Sequence, residues 1–272
     1  MKLSIIIVNY NTSYDLKECL NSLLQNRTPD SEIIVVDNAS TDNSVEMVKK
    51  HFSEIILVEA PENLGFSKAN NLGSKKAQGD FLVFLNPDMI LTEASFEKML
   101  RYLESHPDVG LIGPRLIYEN GDFQLSTGSF HKILSQCKMS RLVRKVENPT
   151  FREKLASQFE TSKEVNWVTG ACLMLRRSLF EQINGFDDEL FMFFEDVDLC
   201  KRVYEAGLRV VYFPETEIIH QRGMTYGRRL QRVSTQYRQS QRYYYRKHNG
   251  FFSNLGLLIY LKLLKIKRFL KQ

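Results

Sequence analysis

Residues 191–200 read Phe-Met-Phe-Phe-Glu-Asp-Val-Asp-Leu-Cys, so three carboxylates, Glu195, Asp196 and Asp198, follow directly on four large apolar side chains. A carboxylate held beside such a wall can take a proton from a hydroxyl as a general base. The same acids also suit a helix start, where free N–H groups and the macrodipole favour negative charge. The spacing predicts that helix: Leu199, Val203 and Ala206 share a face, and Gly207 stands where a C-terminal stop belongs.

Further polar residues fall where a sheet would gather them. Residues 3–8 form a short apolar, β-branched run of the kind buried on both faces of a sheet, and it ends in Asn9. An amphipathic helix follows, with Leu16, Leu20, Leu23 and Leu24 inward and Thr12 or Ser13 available as its cap. A second buried run, 32–36, ends in Asp37 and completes a βαβ unit. Strands are expected at 55–58 and 81–85, the latter delivering Asn86-Pro87-Asp88, with a helix over 67–77 stopped by Gly79. In an open parallel sheet the ligand crevice lies beyond the carboxyl ends of the strands. Asn9, Asp37 and Asp88 at those ends form the pattern of a nucleotide site. No G-x-G-x-x-G follows the first strand, which argues against a nicotinamide or flavin dehydrogenase.

The ordered set SIIIVNYN, VVDNASTDNS, ENLGFSKANNLG, FLNPDM, WVTGACLMLRRSLFEQINGFDDELFMFFEDVDLCKR and EIIHQRG, spread over roughly residues 3–225, resembles the inverting glycosyltransferases of family 2. Among them it is most similar to bacterial rhamnosyltransferase-type members. The resemblance implies a GT-A-type, Rossmann-like α/β fold: a mixed, mainly parallel sheet flanked by helices. By the same resemblance Asp37 accepts the N3–H of a pyrimidine, Asn9 and Asn38 lie beside that base, and Gly65, Phe66 and Asn70 belong to a loop near the diphosphate. Asp88 matches the last acid of the D-x-D motif and would hold Mg2+ or Mn2+, with His220 as a further metal or phosphate ligand. Asn86 replaces the first acid of that motif and would contact the ribose or a metal-bound water. Asp196 matches the catalytic base, Glu195 is its rival, and Asp198 caps the helix or orients the base. Trp167, Gly170 and Ala171 would flank donor or acceptor. Arg115 meets a phosphate or is an ordinary surface arginine.

At 272 residues, with 43% hydrophobic and 25% charged, the chain can bury a full core. Cys19, Cys137, Cys172 and Cys200 have no paired spacing, so neither a disulfide framework nor a zinc knuckle is indicated and a reducing compartment fits. Met1-Lys2 runs straight into the first strand, and no signal peptide is expected. The net charge of +5 hides an asymmetry: residues 221–272 carry 13 Lys and Arg and no acid, leaving 24 basic against all 32 acidic residues before them. Such a tail meets something anionic. Arg228, Arg229, Arg232, Arg238, Arg242 and the run Tyr243-Tyr244-Tyr245-Arg246-Lys247 have a composition that also suits RNA. Over 257–270, however, Ile259, Leu263, Ile266 and Leu270 share one face and Lys262, Lys265 and Arg268 another, which makes a basic amphipathic helix suited to an anionic membrane surface. Docking on the protein body is the competing reading.

The sequence therefore divides into a catalytic domain, 1–225, and a basic helical tail, 226–272, serving as a membrane-surface or oligomer contact. Within the first, 131–163 is rich in Lys, Arg, Ser and Gln and looks like an insertion over the acceptor side. The leading expectation is an inverting, metal-dependent transferase at the inner face of the cell membrane. It would move a sugar, rhamnose first, from a nucleotide diphosphate donor to a glycan or lipid-linked acceptor. Deoxythymidine diphosphate rhamnose is the favoured donor and a UDP-sugar the alternative. A non-catalytic scaffold of the same fold is the second hypothesis. A nucleic-acid partner is disfavoured, because the basic residues lie outside the motif-bearing body.

Overall fold

The computed structural model describes residues 2–93, 95–131, 142, 145–221 and 235–269, with 263–269 by their backbone alone. In chain order the elements are β1 (Leu3–Asn9), α1 (Ser13–Gln25), β2 (Ser31–Asp37), α2 (Ser44–His51), β3 (Ile56–Glu59), α3 (Gly65–Ser74), β4 (Phe81–Leu85), β5 (Met89–Leu91), α4 (Ser95–Ser105), β6 (Val109–Ile117), β7 (Phe123–Gln124) and β8 (Thr127–Gly128). They continue with α5 (Pro149–Ala156), a 3-10 turn (Ser157–Phe159), β9 (Lys163–Val165), β10 (Trp167–Val168), β11 (Cys172–Arg176), α6 (Arg177–Gln182), α7 (Glu195–Glu205), β12 (Arg209–His220), α8 (Thr235–His248) and α9 (Gly250–Phe269).

The main sheet runs β3-β2-β1-β4-β11-β6-β12-β5, with β7 added to β6 and β9 to β12, while β8 and β10 form a separate pair. β1 pairs in parallel with β2 and β4, β2 with β3, and β6 with β12. β11 runs antiparallel between β4 and β6. One consequence matters for the site: the start of β11 lies at the edge where β1, β2 and β4 end. The apolar runs at 3–8, 32–36 and 81–85 are buried throughout apart from Val8, as strands covered on both faces must be. One core layer packs α1, α2 and α4 against the sheet through Leu16, Leu20, Met47 and Phe96. The opposite layer packs α3, α6 and α7 through Ala69, Phe180, Leu199 and Val203.

Three local expectations are corrected. Thr12 does not cap α1; its hydroxyl donates to Asn9 Oδ1 at 2.7 Å, and the Asp42 carboxylate accepts from Ser13 N at 3.0 Å. α3 starts at Gly65 and ends at Ser74, earlier at both ends than the apolar spacing indicated. Gly79 is not its stop: a Cβ there would sit 2.6 Å from Ser4 N and 2.7 Å from the Leu3 carbonyl carbon, so glycine is needed for backbone contact with β1. α2 was missed, because its eight residues bury only Ser44, Met47 and Val48 and leave a weak apolar period.

The described part of segment 131–163 has its own small core, in which Phe151, Leu155 and Phe159 pack on Phe123 and Tyr212. Residues 132–141 and 143–144, including Cys137, lie outside the described residues, as do Arg228, Arg229 and Arg232. Cys19, Cys172 and Cys200 are buried and free.

Candidate active site

The ends of β1 and β2 meet first. Asn9 and Asp37 face each other in register, and Asn9 Nδ2 donates to Asp37 Oδ1 at 3.1 Å and to Ser40 Oγ at 3.1 Å. Asp37 Oδ2 accepts from Ser40 N at 2.9 Å, closing a turn, and only 3% of the residue is exposed. A carboxylate has about four acceptor positions, so these two bonds leave capacity for a ligand donor. Asn38 is committed differently. Its amide donates to Asn63 Oδ1 and the Gly65 carbonyl and accepts from Leu64 N at 2.8 Å, fixing the approach to α3.

That approach is tight. Gly65 has φ +78°, and a Cβ there would fall 2.5 Å from the Phe191 carbonyl oxygen. Phe66 N donates to the same carbonyl at 2.6 Å. The loop expected near a diphosphate is therefore bolted to the aromatic run that precedes the acids. Asn70 lies within α3, 1% exposed, with its amide on the Phe66 carbonyl at 3.0 Å.

At the end of β4, Asn86 N donates to the Ala171 carbonyl at 2.8 Å, tying Asn86-Pro87-Asp88 to the start of β11. Asp88 and His220 come together because β5 and the end of β12 pair with His220 opposite Met89. His220 Nε2 lies 3.3 Å from Asp88 Oδ2, and its Nδ1 is 3.0 Å from Gln124 Oε1. A partner on one ring nitrogen that orients the other toward a hard-cation site is the usual outer support of a metal ligand. One carboxylate oxygen and one imidazole nitrogen fit Mn2+ or Mg2+ if phosphate oxygens complete the shell. Among the described residues no group of three or more His, Cys, Asp or Glu is arranged to hold a metal ion, so such an ion would need its remaining ligands from a substrate.

The acids at 195–198 separate into three roles. Asp196 is partly exposed, and its Oδ2 accepts from Gly170 N at 3.0 Å while Oδ1 accepts from Val197 N at 2.8 Å. Burial raises its pKa, and these backbone donors oppose the rise. Glu195 is 7% exposed, its Oε2 has no hydrogen-bond partner among the described residues, and burial, reinforced by the negative charge of Asp196, pushes it well above the usual carboxylate range. The two carboxylates thus differ in their surroundings, Asp196 being the one with backbone N–H donors on both oxygens. Asp198, expected to cap the helix or orient the base, makes no side-chain capping bond at the helix start. It is 0% exposed and binds Arg202 Nε at 2.8 Å, Lys247 Nζ at 2.7 Å and His248 Nε2 at 2.7 Å. Burial alone would raise its pKa, but the bond from His248 and the charges of Arg202 and Lys247 bring it to about 2.

Two other candidates resolve plainly. Trp167 donates from Nε1 to the Ser129 carbonyl at 3.0 Å and stacks on His131, with ring centres 6.1 Å apart. Arg115 pairs with Glu217 at 3.2 Å and lies over the Phe123 ring. Ser240, His248 and the orienting Gln124 carry no signal in their local spacing, and Lys247, read from the sequence as a base of the tail, instead pairs with Asp187 and Asp198.

Comparison with known proteins bears on the family and the fold. The model described as "Glycosyl transferase family 2" matches residues 4–183, and one described as "N-terminal domain of galactosyltransferase" matches residues 152–249. The N-acetylglucosaminyl-diphospho-decaprenol L-rhamnosyltransferase of Mycobacterium tuberculosis is 28% identical over 246 residues, covering 83% of this chain and 78% of that protein. The rhamnosyltransferase WbbL of Escherichia coli is 28% identical over 220 residues, 76% of this chain and 80% of its own. Among solved structures, S. aureus TarS 1-349 in complex with UDP superposes with a TM-score of 0.60 at 20% identity, over 81% of this chain and 60% of that one. The mannosyltransferase PcManGT of Pyrobaculum calidifontis, in complex with GDP-Man and Mn2+, gives 0.58 at 20% identity over 80% and 56%. These likenesses establish a GT-A-type fold, and the sequence match extends from β1 to the end of α6. With its strand-end polar residues on a sheet of this topology, the chain belongs to glycosyltransferase family 2.

Proposed function

We propose that the protein transfers a sugar from a nucleoside diphosphate donor to a glycan or lipid-linked acceptor with inversion, Asp196 serving as the general base. The observation that carries this is the Asp196 carboxylate, fixed by Gly170 N–H at the head of β11, whose neighbour β4 delivers Asp88 to the same edge. In the reaction Asp196 takes the proton of an acceptor hydroxyl and that oxygen bonds to the anomeric carbon. The bond from this carbon to the diphosphate breaks on the opposite face, and the nucleoside diphosphate departs with the electron pair. One carboxylate suffices, whereas glycoside hydrolysis needs an opposed pair.

Asn9 and Asp37 would hold the base, with Asn38 and Asn70 fixing the Gly65 loop against the diphosphate and Asn86 near the ribose. Trp167 and Gly170 flank the acceptor side. Asp88 and His220 would hold Mn2+ or Mg2+, which when bound neutralises charge on the departing diphosphate. The rhamnosyltransferase names of the two relatives favour rhamnose, carried on deoxythymidine diphosphate, with a UDP-sugar as the alternative donor. The decaprenol named for the first of them favours a lipid-linked acceptor.

With such an acceptor the protein would work peripherally at the inner face of the cell membrane. Among the described residues no helix is long and apolar enough to cross a membrane. α9 instead exposes Phe251 (75%), Phe252 (85%), Leu255 (44%), Leu258 (36%) and Ile259 (54%), all on one face, with Leu257 buried opposite. No acid follows Glu217 while basic residues continue to Lys271, so an anionic bilayer is the complementary partner. The face expected from sequence shares Ile259 with this one; the side chains of Leu263, Lys265, Ile266, Arg268 and Leu270 lie outside the described residues.

A donor panel read by nucleoside diphosphate release tests the activity. Asp196→Asn is expected to lower turnover by about 10²–10⁴-fold and to leave donor binding unchanged, because the base acts in the transition state. In the wild type the acid limb of kcat/KM should lie above the ordinary Asp range, since burial raises Asp196. Full activity of Asp196→Asn would remove the assignment, and no release with any donor would favour a non-catalytic scaffold.

A further inference from the structure

The wedge that carries the base is backbone-strained. Phe193 and Phe194 both have φ +69°, the left-handed region that non-glycine residues avoid, and they directly precede Glu195 and Asp196. Such a conformation persists only where its surroundings over-determine it. From one side α3 does so, through Phe66 N on the Phe191 carbonyl and Ser67 Oγ on the Leu190 carbonyl. From the other side the contacts come from α8. Ser240 Oγ donates to the Met192 carbonyl at 2.7 Å. The Tyr237 ring lies 5.4 Å from Phe193 and 5.2 Å from Phe194, and Tyr244 lies 5.5 Å from Phe194.

The charges of α8 act on the same segment. Lys247 Nζ bridges two carboxylates, Asp187 Oδ2 at 2.6 Å and Asp198 Oδ1 at 2.7 Å, one before the base and one after it. His248 joins on Asp198 at 2.7 Å and Tyr243 on Asp187 at 3.0 Å. The carboxylate of Asp198 has no exposure and the His248 side chain only 5%, so this is an interior clamp rather than a solvated contact. Burial raises the pKa of Tyr237 in α8, and the negative charge of Asp196 adds to that rise. The second family model, which runs through α7 and stops at residue 249, also takes in α8.

We infer that α8 is a working part of the active site, in which Ser240, Lys247 and His248 are positioning residues that hold the 187–198 segment so that Asp196 faces the acceptor. The basic tail is then two devices: α8 belongs to the base, and α9 alone is left for an external surface. This rests on Asp196 being the base, as proposed above.

The test uses full-length Ser240→Ala, Lys247→Met and Lys247→Arg. Transfer kinetics are measured beside calorimetric binding of UDP and dTDP and the emission of Trp167, the chain's one tryptophan, which packs against the same cluster. Expected are a kcat lower by about tenfold in Lys247→Met and about threefold in Ser240→Ala, a donor KM within about twofold, and recovery of most of the rate in Lys247→Arg. Trp167 emission should shift in Lys247→Met and return in Lys247→Arg. Wild-type kcat in both Ser240→Ala and Lys247→Met would overturn the inference. So would equal losses in Lys247→Met and Lys247→Arg that track a common fall in thermal midpoint. If the wild type turns over no donor, the transferase reading fails by itself, and an unshifted Trp167 emission in Lys247→Met then overturns the positioning role separately.

Discussion

Asp196 and Glu195 are adjacent, of the same chemistry, and separated only by what reaches their oxygens. Gly170 N–H and Val197 N–H stabilise the charged form of Asp196, while burial raises Glu195, whose Oε2 has no hydrogen-bond partner among the described residues. Asp88 presents the same contrast with a motif that usually supplies two acids. With Asn86 in the first place, His220, held by Gln124, would be the second protein ligand for a cation in the proposed site. Asp88→Ala is therefore expected to weaken donor binding in Mn2+ by about tenfold, roughly 1.4 kcal/mol, down to the affinity of the wild type in EDTA. Titration calorimetry with and without chelator checks this, and a wild-type affinity indifferent to chelator would remove the metal role.

Between elements, the critical joint is α3 against the 187–198 segment. Gly65→Ala introduces a Cβ at φ +78° and 2.5 Å from the Phe191 carbonyl oxygen, so either the αL penalty and clash are borne or the wedge moves. A loss of about 2–4 kcal/mol in urea unfolding is expected, and a neutral substitution would show that the approach is not tight. The Asp198 clamp joins α7 to α8, and its pH dependence follows from sign. The folded-state pKa, about 2, lies below the ordinary 3.8, so the clamp's stabilisation is complete above about pH 4 and is lost as pH falls toward 2. That depression corresponds to about 2 kcal/mol. Asp198→Asn should flatten the stability profile between pH 4 and 2, and an unchanged slope there would place the acid sensitivity elsewhere.

For the whole molecule, charge and apolar surface divide between the two C-terminal helices. Lys247 and His248 of α8 are turned inward onto acids, whereas α9 keeps Leu257 on the body and shows Phe251 and Phe252 outward. Replacing both phenylalanines by serine is expected to lower partition into anionic vesicles by about 100-fold with soluble-substrate turnover unchanged. Flotation on anionic and neutral vesicles measures it. Wild-type protein that ignores anionic vesicles but dissociates from a dimer on the double substitution would assign the face to a second copy.

The strands β1, β2 and β4, their polar ends and the first turn of α7 were legible because each is a local pattern: buried apolar runs of strand length, an Asn or Asp where each run stops, and a 3.6-residue period closed by Gly207. A reading along the chain cannot see what arrives from elsewhere in the sequence. Asp198 looked like a helix-start acid until Lys247 and His248, about fifty residues on, were brought to it, and Gly79 looked like a helix stop until β1 was laid against it. Local patterning sets which elements form and which side chains stand at the strand ends. Only the packed structure decides which of three neighbouring acids keeps a free, hydrogen-bonded carboxylate, because that depends on burial and partners supplied by β10, β11 and α8 rather than on the acids themselves.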